Sequence, residues 1–364
     1  MAAPPLAWIF VAETALLGVV AILVPRITRR GLLFGVYVGE AAHDGEAAHA
    51  IRREWSLGMT AATIACVAAA AVLAMKSVHP VAAIAPELAL LAIGAFLYVR
   101  AYRAARALAQ AAAPPPPPEI AIAHAGTVLP WVAVAASIAV SVWLVADAAS
   151  RYDALPDRIP IHFNAAGTPD GFAPKSFGSV YAVPLLTGLL GLFVGGIAVL
   201  IARTRPAVRA GDAGVSIVAQ ARFRRALARF LAGLTFILVA MLGSISALAL
   251  RVAQGQAPGL PSSFILWVFA ILAWTFGGVI YLFARYGQGG SRLEGATAAP
   301  LADGLADNRR WWGGVIYVNR EDPAWLVEKR FGLGYTINFG NPKALIALFL
   351  FMAAIVAVAI LAAR

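Results

Sequence analysis

Titratable and hydrogen-bonding side chains crowd one short stretch of the sequence, ALPDRIPIHFNAAGTPDGF, at residues 154–172. His162 with Asp153, Asp157 or Asp170 offers a base beside carboxylates, the pairing that general acid–base chemistry requires. Arg158 and Asn164 add a fixed cation and an amide. The spacing does not supply the three or four ligands of a zinc site. Turn chemistry accounts for Asn164 and Asp170 before any ligand does, because such side chains bond their own backbone, and His162 can cap or bridge the same turn. The set His162, Asn164, Asp170 and Arg158 is therefore read as partner-binding, with Pro160, Gly167 and Gly171 shaping the turn. No enzyme, metal or cofactor is expected.

A second candidate is Glu13, about two turns into the first apolar run. An ionisable group in lipid is costly and normally faces protein or water. It suits a proton or cation path, or a polar contact to a neighbouring helix. Glu87 and Asp147 fall nearer to span ends.

The elements that must hold these groups follow from composition. Of 364 residues, 61% are hydrophobic and only 13% charged, whereas soluble domains are about 45–50% apolar and about 25% charged. Such a chain places its apolar surface against lipid. Crossing the hydrocarbon takes about 20 apolar residues, and runs of that kind occupy 6–25, 57–76, 81–101, 127–148, 179–202, 226–250, 263–284 and 343–363. The expectation is an all-α polytopic membrane protein of about eight transmembrane helices, with a short extracytoplasmic extended element and a small cytoplasmic α+β module. The lone Cys66 excludes an intramolecular disulfide and reads as a small apolar residue in a span.

The net charge of +11 would raise nucleic acid as a partner in a soluble chain. Here 23 of the 29 Lys and Arg fall in alternate loops, the pattern of cytoplasmic loops. This removes nucleic acid and leaves the lipid bilayer as the basic partner. It places both termini and the 149–178 loop on the extracytoplasmic side, in the plasma membrane. MAAPPLAW carries no cation and so lacks the charged start of a cleaved signal peptide.

The parts are then 1–126, three spans with a basic loop and a proline-rich linker; 127–202, two spans around the 149–178 loop; 203–285, a basic loop and two spans; 286–341, a linker and the small module; and 342–364, the last span. Leu32–Val38 is expected along the membrane interface, with Phe34 and Tyr37 at headgroup depth. QAAAPPPPPEIA reads as a stiff spacer. In RIPIHF, Ile159, Ile161 and Phe163 alternate with Pro160, His162 and Asn164 as in a strand. The module predicts strands over 314–318 and 334–339, with Asp322–Pro323 opening a helix to about Lys329. Asn341–Pro342 starts the last span in the same way. Trp311 and Trp312 suit an interfacial belt.

LPDRIPIHFNAAGTPDGFAPKS resembles the signature of a domain of unknown function in the SdpI-like family. The shared residues are Leu155, Pro156, Ile159, Pro160, His162, Phe163, Asn164, Gly167, Pro169, Asp170, Gly171 and Lys175. GVIYVNREDPAWLVEKRFGLGYTINFGNPKA resembles a second uncharacterised module that often follows it, and FGVYV fits the same membrane family. The resemblance implies a bacterial cytoplasmic-membrane protein whose best-known relatives act in toxin immunity or envelope signalling. It implies a toxin peptide or envelope protein as partner, and carries over neither substrate nor mechanism. Transport of a small solute or ion through Glu13 stands as the alternative.

Overall fold

A long apolar run in a bilayer can satisfy its peptide groups only within itself, so each such run is expected to be helical. The computed structural model describes residues 5–76, 80–109, 119–120, 126–164, 166–203, 207–208, 213–293, 306–332 and 334–362. The five-proline spacer, His79, His124, Arg205, Arg209 and Arg364 lie outside the described residues. The helices are α1 (Pro5–Ile27), α2 (Glu40–His43), α3 (Glu46–Met75), α4 (Pro80–Ala83), α5 (Ala85–Ala109), α6 (Leu129–Arg151), α7 (Phe177–Arg203), α8 (Ala213–Ala253), α9 (Ile265–Tyr286) and α10 (Pro342–Ala362). Among the described residues, eight helical segments are long and apolar enough to cross a membrane, as the sequence predicts. Their outward faces are apolar, as in α10, where Ile346, Phe349 and Leu350 are all exposed, a surface suited to lipid.

Helix α3 begins at Glu46, so the polar stretch ahead of the second apolar run is helical and continuous with it. The residues added, EAAHAIRREWS, are mostly good helix formers, and Glu46 sits favourably at the N-terminal end of the helix dipole. Composition marks where a helix enters lipid, not where the helix starts.

Two compact units emerge, one from Met1–Ala123, Arg205–Gln220 and Ile280–Asn341, the other from His124–Thr204, Ala221–Val279 and Pro342–Arg364. In the first unit, α1, α3 and α5 pack where small residues let helices approach. A Cβ on Gly18 would strike Thr63, and one on Gly58 would meet Leu97. The Trp55 indole donates to the Ala21 carbonyl at 3.0 Å.

Among the described residues, the same unit carries four short strand pairs. Strand β1 (Leu32–Leu33) pairs with β2 (Val36–Tyr37), and β3 (Glu119–Ile120) pairs with β6 (Ala207–Val208). Strand β7 (Trp311–Trp312) pairs with β8 (Ile316–Tyr317), and β9 (Leu326–Glu328) pairs with β10 (Tyr335–Ile337). All four are antiparallel.

Two expectations fail in this unit, and a third fails for one residue of a pair. Leu32, Leu33, Phe34, Val36 and Val38 do not turn an apolar face outward; all are buried within the protein. The β1–β2 turn uses Phe34 and Gly35 at φ 42° and 78°, the doubly left-handed turn that matches strand twist. A left-handed Phe costs about 1–2 kcal/mol. Packing offsets that cost: the Phe34 ring lies 5.2 Å from Trp55 and 5.5 Å from Phe331. The expected helix over 323–329 is instead an extended segment containing β9. Asp322 does start a local motif, its Oδ1 accepting from the Ala324 amide at 2.9 Å, but cross-strand bonds to β10 then take the backbone. Of the two tryptophans, Trp312 is exposed and Trp311 is buried against Tyr317.

The second unit is built on α6 and α7. A Cβ on Gly188, Gly191 or Gly195 of α7 would collide with Ser141, Ser137 and Val134 of α6, respectively. Gly178 of α7 meets the Leu361 carbonyl of α10 in the same way. Phe193 and Phe351 stack 3.8 Å apart. Trp274 donates to the Phe230 carbonyl at 3.0 Å. Pro184 lies inside α7, and its carbonyl accepts from the Ser141 hydroxyl at 2.9 Å.

Candidate functional site

Between α6 and α7 the chain forms a hairpin of β4 (Arg158–Phe163) and β5 (Pro169–Pro174). With two strands, both are edges, so Pro160 and Pro174 are tolerated. The register shifts on either side of His162, and this irregularity breaks the expected alternation. Ile159 and Pro160 are both buried, whereas Ile161 is 56% exposed.

The base of the hairpin is anchored by apolar contact and by one lysine. Leu155 and Ile159 join Ala148, Val180 and Leu250 in a small core. Lys175 donates from Nζ to the Leu155 carbonyl at 3.1 Å and lies over the Tyr152 ring. Ser176 and Ser179 exchange hydrogen bonds at the start of α7, a side-chain cap for its first amides. At the C-terminal end of α6, beside the hairpin, Arg151 bonds Asp147 at 2.9 Å and Gln254 at 3.0 Å.

The tip is fixed by Asn164 and Gly167. The Asn164 Oδ1 accepts from the amides of Ala166 and Thr168, at 2.9 and 3.1 Å. Gly167 has φ +80°, and its carbonyl accepts from the Leu260 amide at 2.8 Å. A Cβ there would fall 2.0 Å from the Leu260 carbonyl oxygen. The tip is therefore seated on the loop that follows α8. Gly171 lies opposite His162, where a Cβ would meet the His162 Cβ at 2.8 Å.

What remains for function is the outward set. His162 Nδ1 and Asp170 Oδ1 lie 2.5 Å apart, with His162 69% and Asp170 45% exposed. Arg158, Ile161 and Phe172 are also exposed. Of the four residues read as partner-binding, His162 and Asp170 form a solvent-facing pair and Arg158 faces solvent at the base of the same strand. Asn164 is consumed by the turn. Pro160, Gly167 and Gly171 hold the positions their types require.

Glu13 is half-buried on α1, within the first span. In the C-terminal module, Asp322 accepts from Tyr317 at 3.1 Å as well as from Ala324. The Pro323 carbonyl accepts from Asn341 at 3.0 Å, and Pro342 is the first residue of α10.

Sequence reasoning missed the residues that organise the module. Asn338 is fully buried; it donates to the carbonyls of Asn319, Asp322 and Ala324 and accepts from the amides of Asn319 and Gly340. Arg330 is 1% exposed, donates to the Gly35 carbonyl at 3.1 Å and to Asn308 Oδ1 at 2.7 Å, and lies over the Trp311 ring. Burial pushes its pKa below the usual arginine range. Nothing in the order of residues pairs position 35 with 330. The glycine pairs Gly313–Gly314 and Gly332–Gly334 were the available signal of tight turns.

Residues 128–188 match a family described as Domain of unknown function (DUF1648), which spans α6, the hairpin and the first part of α7. Residues 320–345 match DUF5808, a Family of unknown function, covering β9, β10 and the start of α10. No curated protein and no solved structure gives a significant match to the chain. The two matched segments and the eight apolar helices together describe a multi-span membrane protein.

Proposed function

We propose that this protein is a non-enzymatic membrane receptor of the SdpI-like type, which recognises a toxin peptide or envelope protein through the β4–β5 hairpin. In this reading the hairpin is extracytoplasmic in a bacterial plasma membrane, and the C-terminal module stabilises the bound state from the cytoplasmic face. The observation that carries it is a division of labour within one hairpin. Asn164, Gly167 and Lys175 spend their bonding capacity on the backbone, while His162, Asp170, Arg158, Ile161 and Phe172 do not close the structure and face outward. An ordered platform with aromatic, aliphatic and charged groups exposed together is the composition of a recognition surface.

The test is a protection assay in cells challenged with the toxin, with membrane abundance measured by immunoblot. His162→Ala and Asp170→Asn should abolish protection at unchanged abundance. Full protection by both variants would overturn the assignment. Asn164→Ala, which loosens the tip, should lower abundance as well.

A second reading rests on one specific observation, the half-buried placement of Glu13 within α1 and of Glu87 in the first turn of α5. Two carboxylates on neighbouring spans suit a cation or proton path. Flux into proteoliposomes that is lost in Glu13→Gln would favour transport over recognition.

A further inference from the structure

A cleft of about 660 Å³ lies where the C-terminal end of α1 meets α2 and the N-terminal part of α3. Three arginines line it, Arg26, Arg52 and Arg53, together with His43 and His49. No carboxylate lines it among the described residues. The acids nearby are engaged elsewhere: Asp44 with Arg30, and Glu54 with Arg100.

Arg52 is held in place rather than free to swing. Its Nη2 donates to the His43 carbonyl and to His43 Nε2, both at 2.9 Å. His43 is buried, and burial, aided by the Arg52 charge, lowers its pKa to about 4. It therefore stays neutral at physiological pH and serves as an acceptor that aims the guanidinium. The cleft's charge comes from the arginines. Ser56 and Thr60 bring hydroxyl donors to the same wall, one and two turns along α3.

Arginine is the side chain best matched to phosphate oxygens, and three around one concavity exceed what helix termini need. The cleft is not wholly polar. Ile22 on α1 and Leu57 on α3 continue it toward the apolar runs of both helices. Arg26 ends the first apolar segment, which runs from Trp8 to Arg26 and so sets headgroup depth. A free anion would use only the cationic end; a phospholipid would use both.

We infer that this cleft binds the phosphate group of an anionic phospholipid, with its headgroup among Arg26, Arg52 and Arg53 and its chain along Ile22 and Leu57.

The experiment uses the full chain in nanodiscs of phosphatidylcholine with or without phosphatidylglycerol, and reads retained lipid by native mass spectrometry. Phosphatidylglycerol should be retained about tenfold over phosphatidylcholine. The double variant Arg26→Gln/Arg53→Gln should lose that preference, whereas Arg103→Gln/Arg106→Gln, which removes two exposed cations from the end of α5, should keep it. Arg53 is exposed, so its loss is not expected to unfold the protein. Arg53→Lys, which keeps the charge, should retain most of the preference and separates a folding failure from a binding failure. Equal retention of both lipids by the wild type, or equal loss in the two double variants, would overturn the proposal. In a parallel arm, inorganic phosphate is titrated into phosphatidylcholine nanodiscs and the melting temperature followed. Stabilisation by phosphate without selective lipid retention would assign the cleft to a free anion and overturn the lipid assignment.

Discussion

The β4–β5 hairpin and the C-terminal module are both small strand pairs carried by a helical protein, yet they use polar residues in opposite ways. In the hairpin, the backbone is closed by Asn164, Gly167 and Lys175, and the ionisable His162–Asp170 pair is left facing solvent. In the module, the polar side chains are the core. Asn338, Asn319 and Arg330 are buried: Asn338 donates to the Asn319, Asp322 and Ala324 carbonyls, Arg330 to the distant Gly35 carbonyl, and Asn319 to the Tyr317 hydroxyl. Burial decides what a polar residue can do. One already bonded inside the fold specifies geometry; one held at the surface can be given to a partner.

The sharpest way to break this comparison is at the turn apposition of the module. A Cβ on Gly35 would fall 2.4 Å from the Gly314 carbonyl oxygen, at φ +78°. Gly35→Ala should cost about 4 kcal/mol or more and remove the folded protein from detergent size-exclusion profiles. Gly332 has φ +82° with nothing near its absent Cβ, so Gly332→Ala should cost only about 1 kcal/mol. The difference between the two isolates close approach from backbone conformation.

Two arginines provide the next contrast. Arg330→Met removes the arginine's donation to the Gly35 carbonyl and leaves Asn308 Oδ1 only the Tyr37 amide, and should destabilise by about 2–3 kcal/mol. Arg158→Met removes an exposed cation and should leave the melting temperature within about a degree of wild type. Equal effects would mean that exposure does not separate the two regions.

An effect of similar size should appear with pH. His43 has a folded pKa near 4, against 6.5 ordinarily. Between those values the unfolded chain binds more protons than the folded one, so stability rises with pH across this window and is lost as pH falls through it. The loss should be about 3 kcal/mol by pH 4. His43→Gln, which cannot titrate, should show a flatter melting profile over the same range, measured in the same detergent.

The legibility of these regions differs for a physical reason. Eight helices could be read because lipid demands contiguous apolar runs, a local property of sequence. The hairpin could be read as extended and turn-rich because Pro160, Asn164, Gly167 and Gly171 impose their angles locally. Its register shift at His162 could not, since that depends on cross-strand pairing. The module was read least well. Leu32–Val38 looks like an interfacial segment until Phe331 and Trp311 are brought to it, and 323–329 looks helical until β10 competes for its amides. Long-range partners outweighed local preference at both places. The same holds for Arg330, whose acceptors lie near positions 35 and 308.

The facing turns at Gly35 and Gly314 also bear on the order in which the protein can be made. Tyr98 donates its hydroxyl to the carbonyls of both Phe34 and Gly313, at 3.3 and 2.9 Å. Residues emerging early from the ribosome thus acquire their partners only after nearly the whole polypeptide has been translated. Until then the β1–β2 hairpin keeps an apolar surface that awaits a late arrival. Two separately synthesised pieces, divided between Arg292 and Ala306, should therefore reassemble when produced together, and the amino-terminal piece alone should be a substrate for quality-control proteolysis.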